Sequence, residues 1–143
     1  MEELIRLLHS VDCSLVIRNG EIRTFSERGV AALYRLLKEE PIFLKGASVA
    51  DKVVGKGAAA LMILGGVREL YTDVISEPAL ALLQDAGIPV EFKEKVAHIQ
   101  NRARTGFCPV ETLCREAATA EECLPLIEGF MENLNSTIGK QVK

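Results

Sequence analysis

Residues Val49 to Gly66 read VADKVVGKGAAALMILGG, and how they are read decides the fold. Polar and cationic residues open the stretch (Asp51, Lys52 and Lys56), small residues fill Gly57 to Ala60, and an apolar block, Leu61 to Leu64, ends at Gly65-Gly66. The pattern predicts one helix. Ala58, Ala59 and Ala60 have high helix propensity, and the Gly-Gly pair supplies the C-terminal stop. Gly55 and Gly57 would each cost roughly 1 kcal/mol against Ala inside a helix, a cost that close approach to a sheet or a ligand would offset. Lys52 and Lys56, one helical turn apart, would share a face, and Asp51 in the first turn would complement the helix dipole. The free N–H groups of that turn, with two lysines beside them, suit an anionic or polar ligand. The plainer reading is a buried helix with a solvated, charged start. A phosphate-binding P-loop is excluded: Ala50 stands where its first Gly is required, and Gly57 stands where the Ser or Thr that holds magnesium should follow the Lys.

Outward from this stretch the chain alternates. Ile42 to Leu44 reads as a short strand before it. After it come a strand over Glu69–Ser76, a helix over about Glu77–Asp85 with Pro78 in its first turn and Gly87 beyond its end, and a strand over Ile88–Phe92. Strand, helix, strand, helix, strand from Leu44 onward predicts a parallel α/β sheet with right-handed crossovers. Upstream, Glu2–His9 is a short amphipathic helix. Asn19-Gly20 joins strands at about 12–18 and 21–25, a strong hairpin signal that makes the sheet mixed. Ser26 caps a helix over about Arg28–Glu39, which Pro41 stops.

Downstream, Val96 to Phe107 (VAHIQNRARTGF) is polar, with His98, Asn101, Arg102 and Arg104, and reads as a surface loop of the kind that carries sites. Pro109 then presets a helix start in Cys108–Cys114. Cys108 lies at that N-terminus, where the dipole lowers a thiol pKa, and shares a face with Glu111. Cys13, Cys114 and Cys123 read as core cysteines. The tail is helical over roughly Glu116–Leu134, opened by a capping box at Thr119 to Glu122, interrupted near Pro125 and frayed from Asn135 onward. Its stripe of Leu124, Leu126, Ile127, Phe130, Met131 and Leu134 must bury against something, and a homodimer is one way to do so.

Composition bounds the function. The chain has 143 residues, enough for one domain with a sizeable core, and 48% hydrophobic residues, too many for a disordered chain. A net charge of −3 argues against a dedicated nucleic-acid binder. No apolar run reaches the length of a membrane span, and Glu2, Glu3 and Arg6 are wrong for a signal peptide, so the expected location is cytoplasmic with reduced thiols. Cys108, Glu111 and Asp51 would make an unusual zinc set, so zinc is not favoured and no residue is assigned as a metal ligand. His9 and His98 are each a lone histidine, more often a surface or core residue than a ligand.

Taken together, ADKVVGKGAAALMILGG, the strand-helix-strand after it and TGFCPVETLC resemble the domain-of-unknown-function family numbered 1893. The resemblance spans about Leu4 to Cys114. It implies a cytidine-deaminase-like fold, an α/β/α arrangement around a mixed five-stranded sheet over residues 1–116, with 117–143 as a helical extension. Zinc deaminases open the central helix with His-x-Glu or Cys-x-Glu and the next site helix with Pro-Cys-x-x-Cys. Asp51-Lys52-Val53 and Cys108-Pro109-Val110-Glu111 stand in their places, which removes two zinc ligands and the proton shuttle. The resemblance therefore implies binding of a nucleotide-like or other small anionic molecule without a standard catalytic zinc. Lys52, Gly55, Lys56, Arg104 and Thr105 would hold the ligand, and Cys108, Glu111 and Asp51 would act on it as nucleophile or acid/base. The alternatives are an atypical metal-dependent hydrolase or deaminase and a non-catalytic interaction module.

Overall fold

The computed structural model describes residues 1–10, 12–27, 29–97, 113–114 and 116–142, with side chains as far as 132. The elements run α1 (Glu2–Ser10), β1 (Leu15–Asn19), β2 (Glu21–Phe25), α2 (Gly29–Glu39), α3 (Pro41–Leu44), β3 (Ser48–Val54), α4 (Lys56–Gly65), β4 (Glu69–Ser76), α5 (Glu77–Asp85), β5 (Val90–Val96) and α6 (Ala120–Val142). Five strands form one open mixed sheet in the order β2-β1-β3-β4-β5. β1 is antiparallel to both β2 and β3, while β3, β4 and β5 are parallel.

The hairpin expected at Asn19-Gly20 is present. Gly20 takes the left-handed φ of 80° that the turn requires. The Asn19 side chain donates to the carbonyls of Phe43 and Lys45, both at 2.9 Å, and so ties the α2–β3 connection to the hairpin. The strand Glu69–Ser76 and the helix Glu77–Asp85 fall where the sequence placed them.

Two expectations are corrected. Val49 to Gly66 is not one helix: its first part is β3, Gly55 is the break, and α4 starts at Lys56. Val49, Val53 and Val54 are β-branched; Val49 pairs with both β1 and β4, Val53 and Val54 pair with β4, and Gly55 holds an extended φ of −101° and ψ of −178°. Asp51 is therefore mid-strand, not in a first helical turn beside a dipole. Ile42 to Leu44 is not a strand but part of α3, because Pro41 at the first helical position starts a new turn rather than only ending α2. Two boundaries also shift. β5 runs on to Val96, since backbone pairing with β4 carries it through the charged residues Lys93 to Lys95. α6 passes through Pro125 and extends to Val142.

Helices lie on both faces of the sheet. Leu15 and Ile17 of β1 and Val49 of β3 belong to the larger core with Leu33, Leu61, Met62, Leu83 and Ile127. Val16 and Ala50 point the other way, into a smaller cluster under α1 with Leu4, Leu8, Cys13 and Tyr71. α4 is flanked by α2, α5 and α6, and Ala58 to Met62 are buried without a break, as expected for a helix apolar all round. Gly66 closes α4 at a left-handed φ of 79°.

The tail helix packs within the same chain. Ala120, Cys123 and Ile127 enter the larger core, with Leu124, Phe130 and Met131 against it, and Lys38 pairs with Glu128 at 3.0 Å. Leu126 alone of the expected stripe's described members is exposed. The expected capping box forms in a shifted version: Thr119 Oγ1 accepts from Glu122 N–H at 3.2 Å, but the Glu122 carboxylate reaches past Thr119 and accepts from Ala118 N–H at 2.7 Å.

Candidate functional site

In an open α/β sheet, the C-terminal ends of the parallel strands are where ligands are generally bound. β3 and β4 carry buried polar side chains from their middle to that end: Asp51 and Thr72 at mid-strand and Ser76 at the end of β4 are 2%, 0% and 0% exposed. Ser76 has a structural job, accepting from Ala79 N–H as the cap of α5. Asp51 and Thr72 lie in register on neighbouring strands, with Leu15 on the other side of Asp51.

The strands are irregular here. Val49 and Val54, five residues apart, share the larger core, as do Leu70 and Ile75. Strict alternation would place the members of each pair on opposite faces, so both strands slip once in between. At the slip the side chains serve the backbone: Thr72 Oγ1 donates to the Val74 carbonyl at 2.9 Å, and Asp51 Oδ1 accepts from Val53 N–H at 3.4 Å.

The other carboxylate oxygen, Asp51 Oδ2, is buried and has no hydrogen-bond partner among the described residues. Burial pushes the Asp51 carboxyl up from 3.8 to about 7, against the N–H groups of Val53 and Lys52, which favour the charged form, and with a smaller upward push from the Asp73 charge. A buried carboxyl that takes up and releases a proton near neutral pH has the property a general acid or base needs.

Lys52 and Lys56, expected to share a helical face, do not, and Asp51 does not open a helix. Lys52 follows Asp51 along the strand and points to the α1 face, where its charge is felt by Cys13. Lys56 is the first residue of α4, nearly buried, and its Nζ donates to the Ala117 carbonyl just before α6. Gly55 leaves the start of α4 without a side-chain cap. Arg104, Thr105, Cys108 and Glu111, and also His98, lie outside the described residues. Among the described residues no three His, Cys, Asp or Glu side chains converge as a metal site would require.

A second polar group lies behind Asp51, on the α1 face. Tyr71 OH donates to Asp73 Oδ1 at 2.6 Å. His9 Nε2, from the end of α1, donates to Asp73 Oδ1 and Oδ2 at 2.8 and 3.0 Å. The His9 and Tyr71 rings meet edge to face at 6.3 Å. Burial, with the hydrogen bond to Asp73 and its charge, pushes the Tyr71 phenol up to about 12. Sequence reading passed over this group because His9 and Asp73 are 64 residues apart. The one usable signal is a carboxylate inside the mostly apolar run from Leu70 to Ile75.

The model of the family described as "domain of unknown function (DUF1893)" matches residues 3–131. The crystal structure of a DUF1893 family protein, TM1506 from Thermotoga maritima, superposes with a TM-score of 0.80 at 27% identity, covering 90% of each chain. No curated protein matches. With the family match over residues 3–131 and the superposition over 90% of the chain, the protein belongs to the DUF1893 family.

Proposed function

We propose that this chain binds a nucleotide-like or other small anionic molecule at the slip in β3 and β4, with Asp51 as its proton-handling group and without a standard catalytic zinc. The observation that carries the reading is Asp51 Oδ2, a buried oxygen with no partner among the described residues. A buried polar atom left unpaired costs about 1–3 kcal/mol, and a ligand group placed there would recover that. At neutral pH the carboxyl can meet either kind of ligand atom, donating its proton to an acceptor or accepting from a donor.

A cytidine-deaminase-like classification is supported by the hairpin followed by three parallel strands, with helices on both faces. Where a deaminase opens its central helix with a zinc ligand and an acidic proton shuttle, α4 opens with Lys56-Gly57-Ala58, which supplies neither. The proposal therefore routes no step through zinc. Lys56 and the N-terminus of α4 supply positive potential beside the ends of β3 and β4. Cys108 and Glu111 remain the proposed nucleophile and second acid/base, and Arg104 and Thr105 the proposed anion contacts. Assembly into a homo-oligomer and a cytoplasmic location complete the proposal.

The test is a thermal-shift screen with nucleoside monophosphates and sugar phosphates, followed by calorimetric titration. The expected result is a ligand that raises the melting temperature of the wild type and loses at least tenfold in affinity with Asp51→Asn. A ligand that binds both proteins equally would overturn the assignment of Asp51. A panel that shifts neither would overturn the choice of ligand class.

A further inference from the structure

We propose that Asp73, fixed by His9 and Tyr71 behind the β3–β4 pair, is a positioning residue for Asp51: its negative charge, one residue from the register partner of Asp51, opposes a second negative charge there and adds to the effect of burial. The proposal rests on the reading of Asp51 as the proton-handling group.

The argument starts from register. Asp51 pairs with Thr72, and Asp73 is the next residue of β4. Successive strand residues point to opposite faces, so Asp73 sits one peptide away from the neighbour of Asp51, on the α1 side of the sheet. An exposed aspartate would swing into water and its field would be screened. Asp73 is instead bonded at both oxygens. Tyr71 donates to it from the same strand and His9 from α1, and its side chain is 24% exposed.

The other charged groups around it are Lys52 of β3, on the same face, and Glu91 and Lys93 of β5, which flank the Phe92 partner of Thr72. Lys52 acts on Cys13 and Glu91 on Tyr71. Among the described residues, hydrogen bonds to the Asp73 carboxylate come from His9 and Tyr71. After burial, which is the main cause, the Asp73 charge also favours the protonated form of Asp51. The competing account is that the group merely ties α1 to the sheet, in which case the charge on Asp73 is incidental.

The two accounts separate in a carboxyl-carbon NMR titration of ligand-free protein, with the Asp51 signal assigned by its loss in Asp51→Asn. Asp73→Asn keeps the shape and removes the charge, so the Asp51 midpoint should move down. Tyr71→Phe removes one hydrogen bond and no charge and leaves His9 on both carboxylate oxygens, so the midpoint should move down by less than in Asp73→Asn. Asp73→Ser, smaller and equally uncharged, replaces Asp73→Asn if that variant does not fold. An unmoved midpoint in the uncharged variants overturns the proposal, as does an equal movement in Tyr71→Phe. Because no ligand is present, either result stands apart from the outcome of the ligand screen.

Discussion

Asp51→Asn gives the sharpest test of the central claim, because its effect on stability must change with pH in a fixed direction. The folded carboxyl titrates at about 7 and the unfolded one at 3.8. Below 3.8 both states hold the proton, and the wild type is not penalised. Between the two values the folded state holds a proton that the unfolded state has lost. Stability then falls as pH rises, by about 1.4 kcal/mol per unit. Above 7 the buried carboxylate is charged and the loss is complete, about 4 kcal/mol in all. Asn cannot titrate. It keeps an oxygen for the Val53 N–H and places an NH2 donor where the protonated wild-type carboxyl already leaves an unpartnered group, so the cost of about 1–3 kcal/mol is common to both and largely cancels. The variant should therefore match the wild type to within about 1 kcal/mol near pH 4 and gain on it through pH 7, ending more stable at pH 8. Urea denaturation of both proteins at half-unit steps from pH 4 to 8.5 measures the difference, and the other titrating groups largely cancel in it. A difference that stays flat across this range would refute the claim that Asp51 is buried and protonated near neutrality.

The packing makes two further predictions. A Cβ added at Gly65 would lie 2.8 Å from Leu44 Cδ1 and 2.9 Å from Leu44 Cβ, so Gly65→Ala should destabilise by about 1–3 kcal/mol of overpacking despite the better helix propensity of Ala, as read by thermal melting. Thr119→Ala removes the acceptor for Glu122 N–H and should cost about 1 kcal/mol, with amide exchange quickened in the first turn of α6 and unchanged in β3.

Much of the fold was legible because local signals and tertiary environment agree. Asn19-Gly20 gave the hairpin, Pro78 and Gly87 bracketed α5, and Thr119 with Glu122 gave the cap of α6. β5 was cut short by reading its charges as loop. An edge strand exposed along Glu91 to Lys95 shows almost no apolar alternation, and its pairing is carried by the backbone. α3 was misread because three apolar residues after a proline fit a strand start and a helical turn equally well.

The misreading of Val49 to Gly66 has a different cause, and it bears on the site. Asp51, Lys52 and Lys56 resemble the charged opening of a helix, whereas a central parallel strand is expected to be continuously apolar. Read by pattern, the polar residues argue against a strand. The valines around them, at 49, 53 and 54, argue for one, and backbone pairing on both sides of β3 decides in their favour. What remains is a carboxylate in the middle of a sheet, where desolvation works against its charge, next to a slip in two strands. A sequence that specifies its fold consistently breaks its own rules mostly where function requires it. On that argument the residue that spoiled the strand pattern is the one to test first. The same logic extends to Asp73, the other carboxylate inside a mostly apolar strand run, which lies one residue beyond the register partner of Asp51. Two violations on neighbouring strands, one unpartnered and one held at both oxygens, are more simply explained by a single arrangement than by two unrelated accidents.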